Sequence, residues 1–155
     1  MAALWQAVRT GHPRAALTAF FPEGAYAQLK AIADPQSDWQ SRLVGDFDLD
    51  LLAAHQLLGQ DAARAQLVQV QVPPTFAHWI PPGVCENRDG YWETPNARVV
   101  FKEDGVVRSF GIASMISWRG DWFVVHLGAI LRTGADGELD DPAVGPGTPV
   151  PSGTC

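Results

Sequence analysis

Charge is what this chain has least of. Only 18% of its residues are charged, Lys and Arg number 11, and the formal net charge is -6. No basic cluster offsets the negative total, which argues against nucleic-acid binding and against adhesion to an acidic membrane surface. No run is apolar and long enough to cross a bilayer, so no membrane insertion by this segment is expected. Met1-Ala-Ala-Leu-Trp5 lacks the basic start and continuous apolar stretch of a signal peptide. Cysteine is limited to Cys85 and Cys155, too few for a disulfide framework or a metal site. Free thiols are the expectation, because a bond between the two requires the C-terminal segment to fold back.

Complete catalytic motifs are also missing. There is no G-x-S-x-G, no glycine loop to cradle phosphate and no H-E-x-x-H, which disfavours serine hydrolases, nucleotide-binding proteins and zinc peptidases. His12, His55, His78 and His126 show no metal-ligand spacing. Asp46, Asp48 and Asp50 lack the glycine and later ligands of a calcium loop. No metal and no cofactor are expected.

What is present suffices for one domain. With 155 residues and a hydrophobic fraction of 46%, the chain can close a single core. Six tryptophans stand out, at 5, 39, 79, 92, 118 and 122. Core packing is their ordinary use, and a cleft lined by one or two is the functional alternative.

The first third reads helical. Leu4, Trp5 and Val8 share a helical face, Pro13 can open a second helix through Phe20, and Tyr26 and Leu29 mark a third. Asp34-Pro35 reads as a stop, Ser37 or Asp38 as the cap of a short helix holding Trp39 and Leu43, and Asp50 as the cap of Leu51 to Leu58. The second half reads as strands. Residues 67–72 alternate cleanly, and 75–90 read as loop or irregular edge. Tyr91 to Lys102, Val106 to Trp118 and Trp122 to Leu131 follow one another through Asp104-Gly105 and Arg119-Gly120-Asp121. Such short turns make antiparallel neighbours, and the Arg-Gly-Asp run is ordinary hairpin chemistry rather than an adhesion signal. Strict alternation puts His126 on one face with Trp122 and Val124. The fold class is therefore α+β, N-terminal helices packed on a C-terminal antiparallel meander. The domain is expected to span residues 1–132. Residues 133–155, rich in Gly, Pro and acid, are expected to be a flexible tail or extended chain lying on the domain.

Helices followed by a hairpin meander over roughly residues 3–131 resemble the NTF2-like (cystatin-like) superfamily, whose sheet curls into a cone. Phe20-Phe21-Pro22, Trp79-Ile80-Pro81-Pro82-Gly83 and Trp122-Phe123-Val124-Val125-His126 resemble uncharacterised actinobacterial secreted or lipoprotein-type domains. That resemblance implies a cone and favours an extracytoplasmic location over a cytoplasmic one. It supplies no catalytic residue.

The candidate ligand-binding residues are His126, Trp122, Trp92, Tyr26 and His55. His126 sits among apolar strand neighbours and belongs to the residue type that changes charge near neutral pH. A packed histidine with one hydrogen bond is its ordinary reading, and helix packing accounts for His55 and Tyr26. The leading function is a non-catalytic binding or interaction module, taking a small apolar or aromatic ligand or pairing with a second copy through the sheet face. The alternative is a cofactor-free dehydratase-like or isomerase-like enzyme using His126 with Asp46 or Asp48 as general base. It requires a pocket of a few hundred Å³ and a carboxylate within about 3 Å of His126.

Overall fold

The computed structural model describes residues 1–132 and 134–149. Helices α1 (Ala2–Thr10) and α2 (Glu23–Leu29) come first. A continuous helical run then passes through α3 (Pro35–Asp38), a π-helical turn (Trp39–Leu43) and α4 (Val44–Leu58). The strands are β1 (Gln66–Gln71), β2 (His78–Ile80), β3 (Tyr91–Glu103), β4 (Val106–Trp118), β5 (Asp121–His126) and β6 (Asp140–Val144).

Several local signals act as their chemistry requires. Gly11 ends α1 in the left-handed conformation. Asp104 and Gly105 both have positive φ, as do Arg119 and Gly120, so each two-residue turn carries the twist that lets its strands pair. Other signals act differently. Pro13 opens only a single 3-10 turn ending at Ala16, after which Phe20 bridges to Val124 at the edge of β5. Asp34-Pro35 starts a helix instead of stopping one. Pro35 takes the first turn, and the Asp34 carboxylate accepts from the Ser37 N–H at 3.0 Å.

The β3–β4 hairpin is the spine of the sheet. β1 and β2 pair antiparallel along the free side of β3, and β5 and β6 along the free side of β4. Among the described residues no pairing joins β5 or β6 back to β1 or β2. The sheet is therefore open, which overturns the expected NTF2-like or cystatin-like cone while keeping helices on an antiparallel sheet. β2 comes from a stretch read as irregular, and β6 from the Gly/Pro/acid-rich segment. Cys85 is disulfide-bonded, which corrects the expectation of free thiols. Cys155 lies outside the described residues, as do residues 150–154.

Helices and sheet share one core. Leu4, Trp5 and Val8 of α1 join Tyr26 and Leu29 of α2, Phe47 and Leu51 of α4, and Phe101, Phe110 and Ile112 of the sheet. Phe20 stacks on Phe47 with centroids 4.4 Å apart, and Trp5 meets Phe101 at 5.6 Å. Burying a phenylalanine of this kind contributes about 1.5–3 kcal/mol.

Asp50 departs most from expectation. It lies inside α4, not at a helix start, and is only 1% exposed. Its carboxylate accepts from the Gly128 N–H at 2.8 Å, the Glu138 N–H at 2.9 Å and the Arg132 guanidinium at 2.5 Å. Glycine is needed at 128, because a Cβ there would strike the Glu138 backbone and the Asp50 carboxylate. Burial raises the pKa of Asp50, while Arg132 and the two N–H groups oppose the rise. Removing one partner of a buried ion pair costs about 3–5 kcal/mol. Asp50→Ala is thus expected to lose stability on that scale in urea unfolding. Asp46→Ala, which removes a more exposed partner of Arg132 at 3.2 Å, should lose about 1 kcal/mol or less.

A polar cavity beneath the π-helical turn

A bulge decides where His126 points. β4 and β5 pair Ile116 with Phe123 and Met115 with Val124, but Ser114 with His126, so one residue of β5 has no opposite number. The extra residue moves His126 off the Trp122 face and onto the helix-facing side with Ser114 and Ile116. Strict alternation through β5 is corrected here, and with it the grouping of His126 with Trp122.

On that inner side lies a cavity of about 60 Å³. Its polar lining includes Tyr26, Lys30, Arg42, Glu93, Ser114 and His126, and its apolar lining includes Leu29, Leu43, Ile116 and Ile130. The π turn supplies Arg42 and Leu43. Such turns recur at functional sites because the extra residue re-aims side chains. Arg42 donates two bonds to Asp38, at 2.7 and 2.6 Å, and a third to the Tyr26 hydroxyl at 3.3 Å. Tyr26 in turn donates to Asp38 at 2.5 Å. This triad braces α2 against the π turn. The hydrogen bonds from Arg42 hold the Asp38 carboxyl low, and burial pushes the Tyr26 hydroxyl up.

The cavity floor is on the sheet. Ser114 Oγ donates to Glu93 Oε1 at 2.6 Å, while Glu93 Oε2 is buried without a hydrogen bond, 3.5 Å from His78 Nε2. Lys30 gives one bond to the Cys85 carbonyl at 2.7 Å, leaving donors to spare. Burial lowers its pKa, and Arg42 adds to the effect. The His126 ring makes no hydrogen bond to a described residue. Burial lowers its pKa to about 4, and Arg42, Lys30 and Arg132 push the same way. At neutral pH His126 is therefore an uncharged imidazole with one donor and one acceptor free.

The expected site residues divide among separate places. His126 and Tyr26 meet at the cavity. Trp92 and Trp122 lie on the opposite, outer face, half exposed. His55 is remote from both, its Nδ1 held 2.9 Å from the Val8 carbonyl oxygen and its ring lying against Gly11. Asp46 pairs with Arg132, and among the described residues no carboxylate bonds to His126. Sequence reasoning missed Glu93, Ser114, Lys30 and Arg42. The only available signal was the strand register, which places Glu93 opposite Ile116 and beside Ser114.

Comparison with protein-family models, with curated proteins and with solved structures yields no match. The resemblance to NTF2-like and actinobacterial lipoprotein-type domains is thus unsupported by sequence as well as by the open sheet. No helix among the described residues is long and apolar enough to cross a membrane. Aromatic clusters and buried polar side chains together form surfaces suited to ligand contact.

The lowered pKa of His126 has a defined consequence for stability. Folding favours the neutral ring, so its contribution is complete above the unfolded value of 6.5 and is lost as pH falls through about 4. The loss amounts to about 3 kcal/mol across that window. Chemical denaturation of the parent protein and of His126→Gln at pH 7 and pH 4 checks this. The parent should lose more stability than the variant, and parallel losses would contradict it.

Proposed function

We propose that the chain is a non-catalytic ligand-binding module that receives the polar end of a small molecule in the cavity beneath the π turn. The observation carrying this reading is hydrogen-bonding capacity around a formed cavity: the nitrogens of His126, spare donors on Lys30, and Glu93 Oε2, which is buried without a hydrogen bond 3.5 Å from His78 Nε2. Buried polar groups without partners are costly and uncommon, and a ligand supplying the missing bonds would relieve that cost.

Charge balance narrows the ligand. Lys30 and Arg42 are matched by Glu93 and by Asp38, which is already paired with Arg42. A neutral group bearing both donor and acceptor, such as a hydroxyl or amide, suits this lining better than a bare anion or cation. The volume of about 60 Å³ equals roughly two water molecules of liquid, so only the end of a ligand enters. Leu29, Ile116 and Ile130 in the same lining suit an apolar carbon next to that polar end. The disulfide of Cys85 favours an oxidising, extracytoplasmic compartment.

The dehydratase-like or isomerase-like alternative has less support. It needs a carboxylate on His126 and a pocket several times larger, and a base with a pKa of about 4 is poorly matched to neutral pH.

Native mass spectrometry with a panel of small alcohols and primary amides, each bearing an apolar tail, tests the reading. A discrete added mass is expected on the parent protein and should fall at least about ten-fold in occupancy in His126→Ala and Lys30→Met. Absence of any adduct at millimolar ligand, or adducts indifferent to both substitutions, would sink it.

A further inference from the structure

The outer face of the sheet carries a feature that the cavity does not use. Trp79 pairs directly with Trp92 across β2 and β3, and Trp122 pairs with Ser117 across β5 and β4. The register that sets Glu93 opposite Ile116 brings Trp92 to Ser117, whose Oγ accepts from the Trp92 N–H at 3.3 Å. Directly opposed residues share a face, so the three indoles and one hydroxyl form a single row across four strands. Two strand spacings put Trp92 and Trp122 roughly 10 Å apart at the backbone.

The indoles are wet where most tryptophans are buried. Trp79 is 49%, Trp92 48% and Trp122 40% exposed. None of their indole N–H groups bonds to a described residue. Trp79 and Trp92 meet at 65° with centroids 5.8 Å apart, forming an angled corner and not two parallel walls. Gly90 seats the corner, because a Cβ there would run into the Trp79 ring.

We propose that this row is a binding site for a neutral oligosaccharide chain. A sugar ring offers a flat C–H face to an indole and hydroxyl oxygens to its N–H, so one ligand satisfies both halves of each exposed tryptophan. The row is linear and one side chain wide, as a chain of repeated rings requires. Its exposed aromatic area is roughly 300 Å², the size of a functional patch on a monomer. A stable pairing with a second copy needs about 800 Å² from each partner. No ionised side chain stands in the row, and the net charge of -6 repels acidic glycans and anionic lipid alike. A proline-rich peptide docks in an aromatic-lined groove, whereas these indoles stand in a single row across the sheet with one angled corner. The site lies on the face opposite the cavity and stands independently of the function proposed for it.

Titration with cellohexaose, chitohexaose and maltohexaose, followed by tryptophan fluorescence and calorimetry, tests the proposal. At least one should bind. Trp92→Ala and Trp122→Ala should each raise its Kd about ten-fold or more, with circular dichroism confirming that both variants fold. Gly90→Ala, which displaces Trp79 without removing it, should weaken binding too, while His126→Ala should leave it unchanged. The proposal is overturned if none of the three sugars binds at millimolar concentration, or if affinity survives both tryptophan substitutions. It is equally overturned if the row proves instead to hold a polyproline peptide, or a second copy detected by sedimentation.

Discussion

A carboxylate buried in the middle of a helix cannot be left alone, and much of this fold follows from how Asp50 is satisfied. Three donors converge on it from the end of β5 and the segment beyond, so α4, the sheet and the C-terminal segment are held at one point. Arg132 lies over the same spot and ties Asp46 to it as well. Because this clamp fixes where the chain goes after His126, it also sets Ile130 at the cavity wall and delivers residues 140–144 to β4. There the segment shields a second buried charge. Arg98 donates to Asp141 and to Ser109, and Gly147 packs against its guanidinium. Two buried charges, one acidic and one basic, thus order a stretch whose composition offers little apolar surface of its own.

The sheet separates two kinds of surface by a single inserted residue. Without the bulge in β5, His126 would stand with the tryptophans on the outer face. With it, the inner side gains an imidazole facing Ser114, and the outer side keeps a row of indoles interrupted only by a hydroxyl. Glu93 and Trp92, neighbours on β3, divide the same way, one at the cavity and one in the row. The inner face is enclosed, polar and small. The outer face is open, aromatic and uncharged. A bulge and a π turn, each one residue out of step with its regular element, lie on opposite sides of the cavity and aim His126 and Arg42 at it.

Legibility followed the range of the interactions. The Asp-Gly and Arg-Gly turns need only adjacent residues, so the β3–β4 and β4–β5 connections were readable directly. The cavity was half legible: His126 and Tyr26 carried signals as lone polar residues among apolar ones, while Glu93, Ser114, Lys30 and Arg42 carried none. β2 was hidden by its brevity and by flanking prolines, and β6 by its acidic, proline-containing composition.

The amino-acid sequence by itself determined the class of architecture and the two tight hairpins, because these depend on spacing and turn chemistry. Only the tertiary structure decided that the sheet stays open, that His126 turns inward, that Trp79 joins Trp92 and Trp122 in one row, and that Asp50 is a clamp rather than a cap. The physical reason is distance along the chain. The backbone donors that satisfy Asp50 lie 78 and 88 residues away, and a carboxylate shows no preference for them until folding removes the water it would otherwise bind.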